Sequence, residues 1–282
     1  MINVNNISFA YAGQKTKVFD NFSLQLEANN IYGLLGKNGT GKSTLLYLIS
    51  GLLRPNQGSV TVDDIPSIDR RPEMLEEIFI VPEEFDLPSM TLEKYVSINQ
   101  PFYPRFNREV LENCLNDFEL PTTLSLQSLS MGQKKKVFMS FALAAGTRLL
   151  LMDEPTNGLD IPSKMQFRRV VANNMADDRT LIISTHQVHD VESLLDHILI
   201  LNQRQLLLDA SVGDICDRYC FEYHAPGTEV SDVLYSEPSV QGETVIVPRT
   251  PDKAETPLNL ELLFNAVTLG KVKDDFSQTT NH

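Results

Sequence analysis

The segment Gly36-Lys37-Asn38-Gly39-Thr40-Gly41-Lys42-Ser43 constrains this chain more than any other, because it fits the pattern G-x-x-x-x-G-K-[ST]. It follows the apolar run Ile31 to Leu35, which reads as a buried strand, and leads into Thr44 to Ser50, which reads as a helix ending near Gly51. Glycines let such a loop curl until successive backbone N–H groups point inward, and the helix starting at Lys42 adds the partial positive charge of its N-terminus. Strand, loop and helix in that order make an anion cradle. Lys42 is placed to reach the β and γ phosphates of a nucleotide, Ser43 to offer a hydroxyl to Mg²⁺, and Thr44 to complete the contacts. The plain alternative is a tight connector.

The rest of the chain agrees with an α/β architecture. Alternation near Ile7 and Phe9 and at Phe22, Leu24 and Leu26 predicts strands, and Ser59 to Val62 predicts another after the turn Pro55 to Gly58. From about residue 85 to 130 the pattern turns helical, with Asn107 as an N-cap and Leu111, Cys114, Leu115 and Phe118 on one face. Beyond it, Lys134 to Ala145 and Ser163 to Ala176 read as helices, Leu149 to Met152 and Thr180 to Thr185 as buried strands. Such alternation predicts a mostly parallel sheet covered on both faces. After about Tyr219, Pro226, Pro238, Pro248, Pro251 and Pro257 punctuate short β-like runs, which sets a C-terminal extension at 221–282 apart from a domain at 1–220. Thr256 and Pro257 predict the start of a final helix with Leu260, Leu263, Phe264 and Val267 as its apolar stripe, followed by a disordered tail after Lys271.

Asp153 and Glu154 follow the run Leu149 to Met152, so two carboxylates stand at the carboxyl end of a buried strand, where open α/β sheets bind ligands. Asp153 suits Mg²⁺, and Glu154 suits the orientation and deprotonation of an attacking water. Without the upstream loop the pair would read as a solvated turn.

Leu129-Ser130-Met131-Gly132-Gln133 opens an amphipathic helix before that strand. Here the chain resembles the ABC ATPase family, whose signature is L-S-G-G-Q, and the order and spacing of the motifs carry the likeness. The resemblance implies a RecA-like P-loop NTPase core with an antiparallel β subdomain and a helical subdomain, to which the C-terminal extension is a small appendage. It implies ATP and Mg²⁺ as ligands, with Ser130, Gly132 and Gln133 facing the γ-phosphate held by a second subunit. Tyr11 would stack on adenine, and Asn157 to Asp160 would form the loop that communicates across the dimer, with Asp160 at the nucleotide interface. His186 would be the switch histidine beside the γ-phosphate; otherwise it is a surface histidine at a strand end, and Tyr11 a core aromatic.

Two positions depart from the family pattern. Met131 replaces the first glycine of the signature and adds bulk near the phosphate across the dimer, which predicts slower hydrolysis. Glu83, after Val81 and Pro82, stands where the family has a glutamine that binds Mg²⁺ and senses the membrane partner. A carboxylate can still ligate Mg²⁺, unless Glu83 points to solvent.

The resemblance implies a homodimer or heterodimer beneath an integral membrane permease subunit, most similar to ABC-2 type exporters. Glu83 to Pro104 would carry the coupling region, with Phe85, Phe102, Tyr103 and Phe106 either lining a docking groove or packing in the core. A formal charge of −13 argues against nucleic acid as a partner. Apolar runs such as Val137 to Ala145 fall short of the ~20 residues needed for a spanning helix. Direct membrane insertion is therefore not expected, and the place predicted is cytoplasmic, peripheral on the inner face of the membrane. The start of the chain lacks the features of a secretory signal, and Cys114, Cys216 and Cys220 read as reduced thiols. The rival functions are a soluble, non-transport ABC ATPase and a weakly hydrolysing nucleotide-dependent regulator.

Overall fold

The computed structural model describes residues 1–228, 231–240 and 242–273. Strands β1 (Ile2–Phe9) and β2 (Phe19–Leu26) form an antiparallel pair. In β2, Phe19, Phe22, Leu24 and Leu26 are buried while Ser23 and Gln25 between them face out, the alternation of a sheet with one wet face. The chain then enters β3 (Ile31–Leu35) and helix α1 (Lys42–Ile49). It returns to the antiparallel sheet as β4 (Gln57–Val62) and β5 (Ile65–Pro66), giving the order β2-β1-β4-β5.

The short α2 (Pro72–Leu75) and β6 (Ile78–Val81) lead to the helical region, α3 (Leu92–Asn99), α4 (Arg108–Asp117) and α5 (Met131–Ala144). Asn107 caps α4 as expected, accepting from the N–H groups of Glu109 and Val110. Strand β7 (Leu149–Asp153), helix α6 (Ile161–Asn174), strand β8 (Thr180–Thr185), and then β9 (His197–Asn202) and β10 (Gln205–Ser211) complete the second sheet. Its order is β10-β9-β3-β8-β7-β6. All neighbours are parallel except β10 on β9. Every residue of β7 and β8 is buried, since helices or the antiparallel sheet cover both faces, and this is why those strands read as unbroken apolar runs. This is a P-loop NTPase fold with an antiparallel β subdomain, the fold class expected from the sequence.

Helix α7 (Val212–Arg218) leads into β11 (Tyr219–His224), which pairs with β13 (Gly242–Pro248), which in turn pairs with β12 (Tyr235–Ser239). This third sheet begins at Tyr219, so a boundary after residue 220 would fall inside β11. The final helix α8 (Leu260–Thr268) buries Leu260, Leu263 and Val267, with Phe264 packed alongside. It does not start at Thr256 and Pro257. Asn259 caps it by accepting from the Leu262 N–H, and the Thr256 hydroxyl oxygen accepts instead from the Phe221 N–H of β11. Residues 274–282 of the expected tail lie outside the described residues.

Candidate active site

Helix α1 begins at Lys42, where Gly41 takes φ 105° and turns the loop directly into the first turn. That backbone favours glycine, and a β-carbon there would come within 2.9 Å of Phe19 and Val18. At Gly36 a β-carbon would meet the Leu201 carbonyl at 2.7 Å, so both ends of the loop need glycine for want of space. The Thr40 hydroxyl donates to the Lys37 carbonyl at 2.9 Å and ties the loop across its middle. Lys42 Nζ donates to the Gly36 carbonyl at 2.8 Å and stands 3.4 Å from Glu154 Oε1.

Strand β7 delivers the two carboxylates into different surroundings. Asp153 is buried and accepts from the Ser184 hydroxyl of β8 and from Ser43. Burial pushes its carboxyl above the usual range, and those two hydroxyls pull it part of the way back. Glu154 leaves the strand with φ 45°, uncommon for a non-glycine residue and held by its neighbours. Its Oε2 accepts from the Thr185 hydroxyl at 3.0 Å and the His186 N–H at 3.3 Å, and its Oε1 lies 2.9 Å from His186 Nδ1. His186 is exposed at the strand end, but its ring and its N–H both engage Glu154.

A cavity of about 420 Å³ brings together Tyr11, Asn38, Gly39, Gly41, Lys42, Ser43, Thr44, Glu83 and Glu154. Tyr11 is not a core residue: it is 38% exposed and its hydroxyl sits 2.9 Å from the Thr44 hydroxyl. Glu83 does not point freely to solvent, since Oε1 accepts from Asn157 Nδ2 at 2.8 Å. Ser130, Gly132, Gln133 and Asp160 do not line this cavity. Ser130 caps α5 in a reciprocal box with Gln133, Ser130 Oγ accepting from the Gln133 N–H and Gln133 Oε1 from the Ser130 N–H. Met131 in the first turn is 56% exposed, and Gly132 leaves a would-be β-carbon 3.8 Å from Leu159. Asp160 caps α6 by accepting from the Ser163 N–H.

A model of the family described as "ABC transporter" matches residues 19–157. The linearmycin resistance ATP-binding protein LnrL of Bacillus subtilis (strain 168) is 30% identical, over 77% of this chain and 71% of LnrL. The chain is a member of the ABC transporter ATP-binding family. The ABC transporter ATP-binding protein YtrB of the same organism is similar over nearly the full length, 27% identical across 96% of this chain and 99% of YtrB. A solved structure of an ATP binding subunit of an ABC transporter superposes with a TM-score of 0.67 at 25% identity, covering 76% of this chain and 91% of that one.

Family membership makes the expected positions easy to locate, but three others at the site escaped the sequence. Ser184 and Thr185 are hidden in an apolar strand, and only their place opposite β7 reveals them as partners of Asp153 and Glu154. Asn157 lay within a recognised loop, yet its link to Glu83 crosses 74 residues. Lys135 stands among three consecutive lysines with nothing in the sequence to set it apart. It is buried, with Nζ donating to the Asn157 carbonyl at 2.8 Å and the Glu154 carbonyl at 3.4 Å.

The four candidate aromatics divide. Phe85 packs on Phe138 and Phe106 on Phe141, at ring separations of 4.5 and 5.3 Å. Phe102, 67% exposed, lines a groove of about 690 Å³ that also includes Leu52, Ile80 and Phe138, and Tyr103 does both, lining that groove while packing on Phe79 at 5.4 Å. No helix among the described residues is long and apolar enough to cross a membrane.

Proposed function

We propose that this chain hydrolyses ATP as the cytoplasmic subunit of an ABC transporter of the exporter kind, as a homodimer or heterodimer beneath a separate integral membrane permease. The observation that carries the reading is the pairing of Lys42 with Glu154 in a cavity walled by the glycine loop, Tyr11, Ser43 and Glu83. One side of that cavity is built for phosphate and the other holds a carboxylate for a proton. LnrL is a resistance protein by name, and this favours export.

The donors fit Mg²⁺. Ser43, Asp153 and Glu83 offer only oxygen, the preference of a hard cation, and Asp153 is a buried carboxylate whose ionised form a cation would favour. Mg²⁺ usually keeps several waters and takes one or two carboxylates beside phosphate oxygens. When bound, Mg²⁺ neutralises charge on the phosphates.

The chain's own residues do the rest. The loop N–H groups and Lys42 hold and orient the β and γ phosphates, while Tyr11 stacks on adenine at the cavity lip. Glu154 takes a proton from the attacking water, and the Thr185 hydroxyl and the His186 N–H fix one carboxylate oxygen while His186 Nδ1 engages the other. Ser130, Gly132, Gln133 and Asp160 do not line this cavity, and the family resemblance assigns them to the nucleotide of the opposite subunit. The groove beside Phe102 and Tyr103 receives the permease, so closure of the dimer is transmitted to the membrane.

Turnover by the wild type and by Glu154→Gln tests the chemistry, and equal rates would overturn the general-base assignment. Affinity capture from native membranes tests the partner. A multi-span protein is the expected catch, whereas ribosomes or DNA would replace the transporter reading with a soluble ATPase.

A further inference from the structure

Helix α5 shows two faces within its first two turns. Met131 near its tip is largely exposed, whereas Lys135 turns inward and is only 6% exposed. A buried ammonium is costly unless it is hydrogen-bonded and paired. The bonds that Lys135 makes run to one short stretch of backbone, the carbonyls of Glu154 and Asn157.

Those two carbonyls bracket a turn, closed by the Asn157 N–H donating to the Glu154 carbonyl at 3.1 Å. Glu154 opens it in the left-handed region, a conformation that persists only where the surroundings enforce it. At its far end the Asn157 side chain donates to Glu83. Lys135 also stands in the field of Glu83, Glu154 and Asp153, which partly counter the downward pull of burial on its ammonium. Lys42 is the other lysine at Glu154, and phosphate competes for it. Lys135 is absent from the cavity lining, and its bonds run to backbone carbonyls rather than into the cavity.

Resting on the ATPase reading above, we infer that Lys135 is a positioning residue: it fastens the Glu154–Asn157 turn to α5, so that the base and the helix tip carrying Ser130 form one rigid piece. In a dimer that piece spans two nucleotides, because Glu154 acts on the subunit's own ATP and Ser130 on the other. Loss of the tether slackens the base while the phosphate loop stays intact. Misplacing a catalytic group by about 1 Å costs on the order of 10²-fold in rate, without a matching loss of binding.

The test uses the full-length chain and three variants, Lys135→Met, Lys135→Arg and Lys135→Gln. Steady-state ATPase rates with Mg²⁺ are measured beside binding of trinitrophenyl-ATP and thermal unfolding. Lys135→Met is expected to lower kcat by roughly 10–100-fold while KM and the probe's Kd stay within about twofold. Lys135→Arg, which keeps N–H donors for both carbonyls, is expected to recover most of the rate, and Lys135→Gln a smaller part. Wild-type kcat in folded Lys135→Met overturns the assignment, as does a loss confined to thermal stability. Should Lys135→Met fail to fold, the graded order of Arg above Gln decides, and wild-type kcat in Lys135→Gln overturns it. A wild type that binds the probe yet never turns ATP over removes the ATPase reading and this assignment together, whereas a hydrolysing wild type matched by Lys135→Met removes the assignment alone.

Discussion

Lys42 and Glu154 stand 3.4 Å apart with side chains only 6% and 5% exposed, so the cation proposed for phosphate and the carboxylate proposed for water share one buried contact. Phosphate binding and this ion pair compete for the same ammonium. Lys42→Ala removes the phosphate partner and leaves Glu154 without its nearby cation. Charge-assisted hydrogen bonds contribute about 1.5–3 kcal/mol each, so ATP affinity is expected to fall by roughly 10–150-fold. Isothermal titration of the variant with Mg-ATP checks this, and an unchanged Kd would remove Lys42 from the binding role.

Glu154→Gln keeps an acceptor for Thr185 and His186 but cannot take a proton. Turnover is expected to drop by about 10²–10⁴-fold with ATP binding retained, the range of a positioned base. Size-exclusion chromatography with ATP should then show a long-lived dimer. A variant that stays monomeric with ATP bound would argue against the sandwiched arrangement.

Asp153 links stability to pH through its burial. Its folded-state pKa is raised, so the native state binds more protons than the unfolded chain between the two values, and stability falls as pH rises from the unfolded value through the folded one. Above that window the cost of the buried charge is fully present, and Mg²⁺ with nucleotide relieves it. Asp153→Asn, which still accepts from Ser184, is expected to raise the Tm of the nucleotide-free protein at neutral pH and to weaken its dependence on Mg²⁺. Each kcal/mol should appear as roughly 2–4 °C in a melting curve. A lower Tm at neutral pH would show that the carboxylate is stabilising as it stands.

Glu83→Gln preserves the acceptor for Asn157 while removing a negative charge from the cavity. ATP binding in EDTA is expected to tighten by about 2–10-fold, the effect of one screened charge near the phosphates. The Mg²⁺ concentration for half-maximal turnover should rise, since a neutral amide oxygen replaces a charged carboxylate as ligand. Titrations of nucleotide without metal, and of metal at saturating nucleotide, separate the two effects.

Much of this architecture is legible in the sequence because its signals are local. A glycine loop between strand and helix, unbroken apolar strands and Asn107 as a cap each depend on neighbouring residues. Lys135 shows where such reading ends. It stands among three consecutive lysines, and only packing of α5 against the turn after β7 selects the one that turns inward. Thr256 shows the same limit from the other side. Thr-Pro is a sound helix start, but β11 takes the threonine hydroxyl and leaves Asn259 to cap α8.

Helix α8 is fastened at its first turn. The Leu260 N–H donates to Glu192, Glu261 meets His189, and both partners follow closely on His186. Helix α8 is thereby tied to the segment that directly follows His186. Anything that pulls on that helix, whether an appended tag or a bound neighbour, would tug on the stretch that watches the nucleotide.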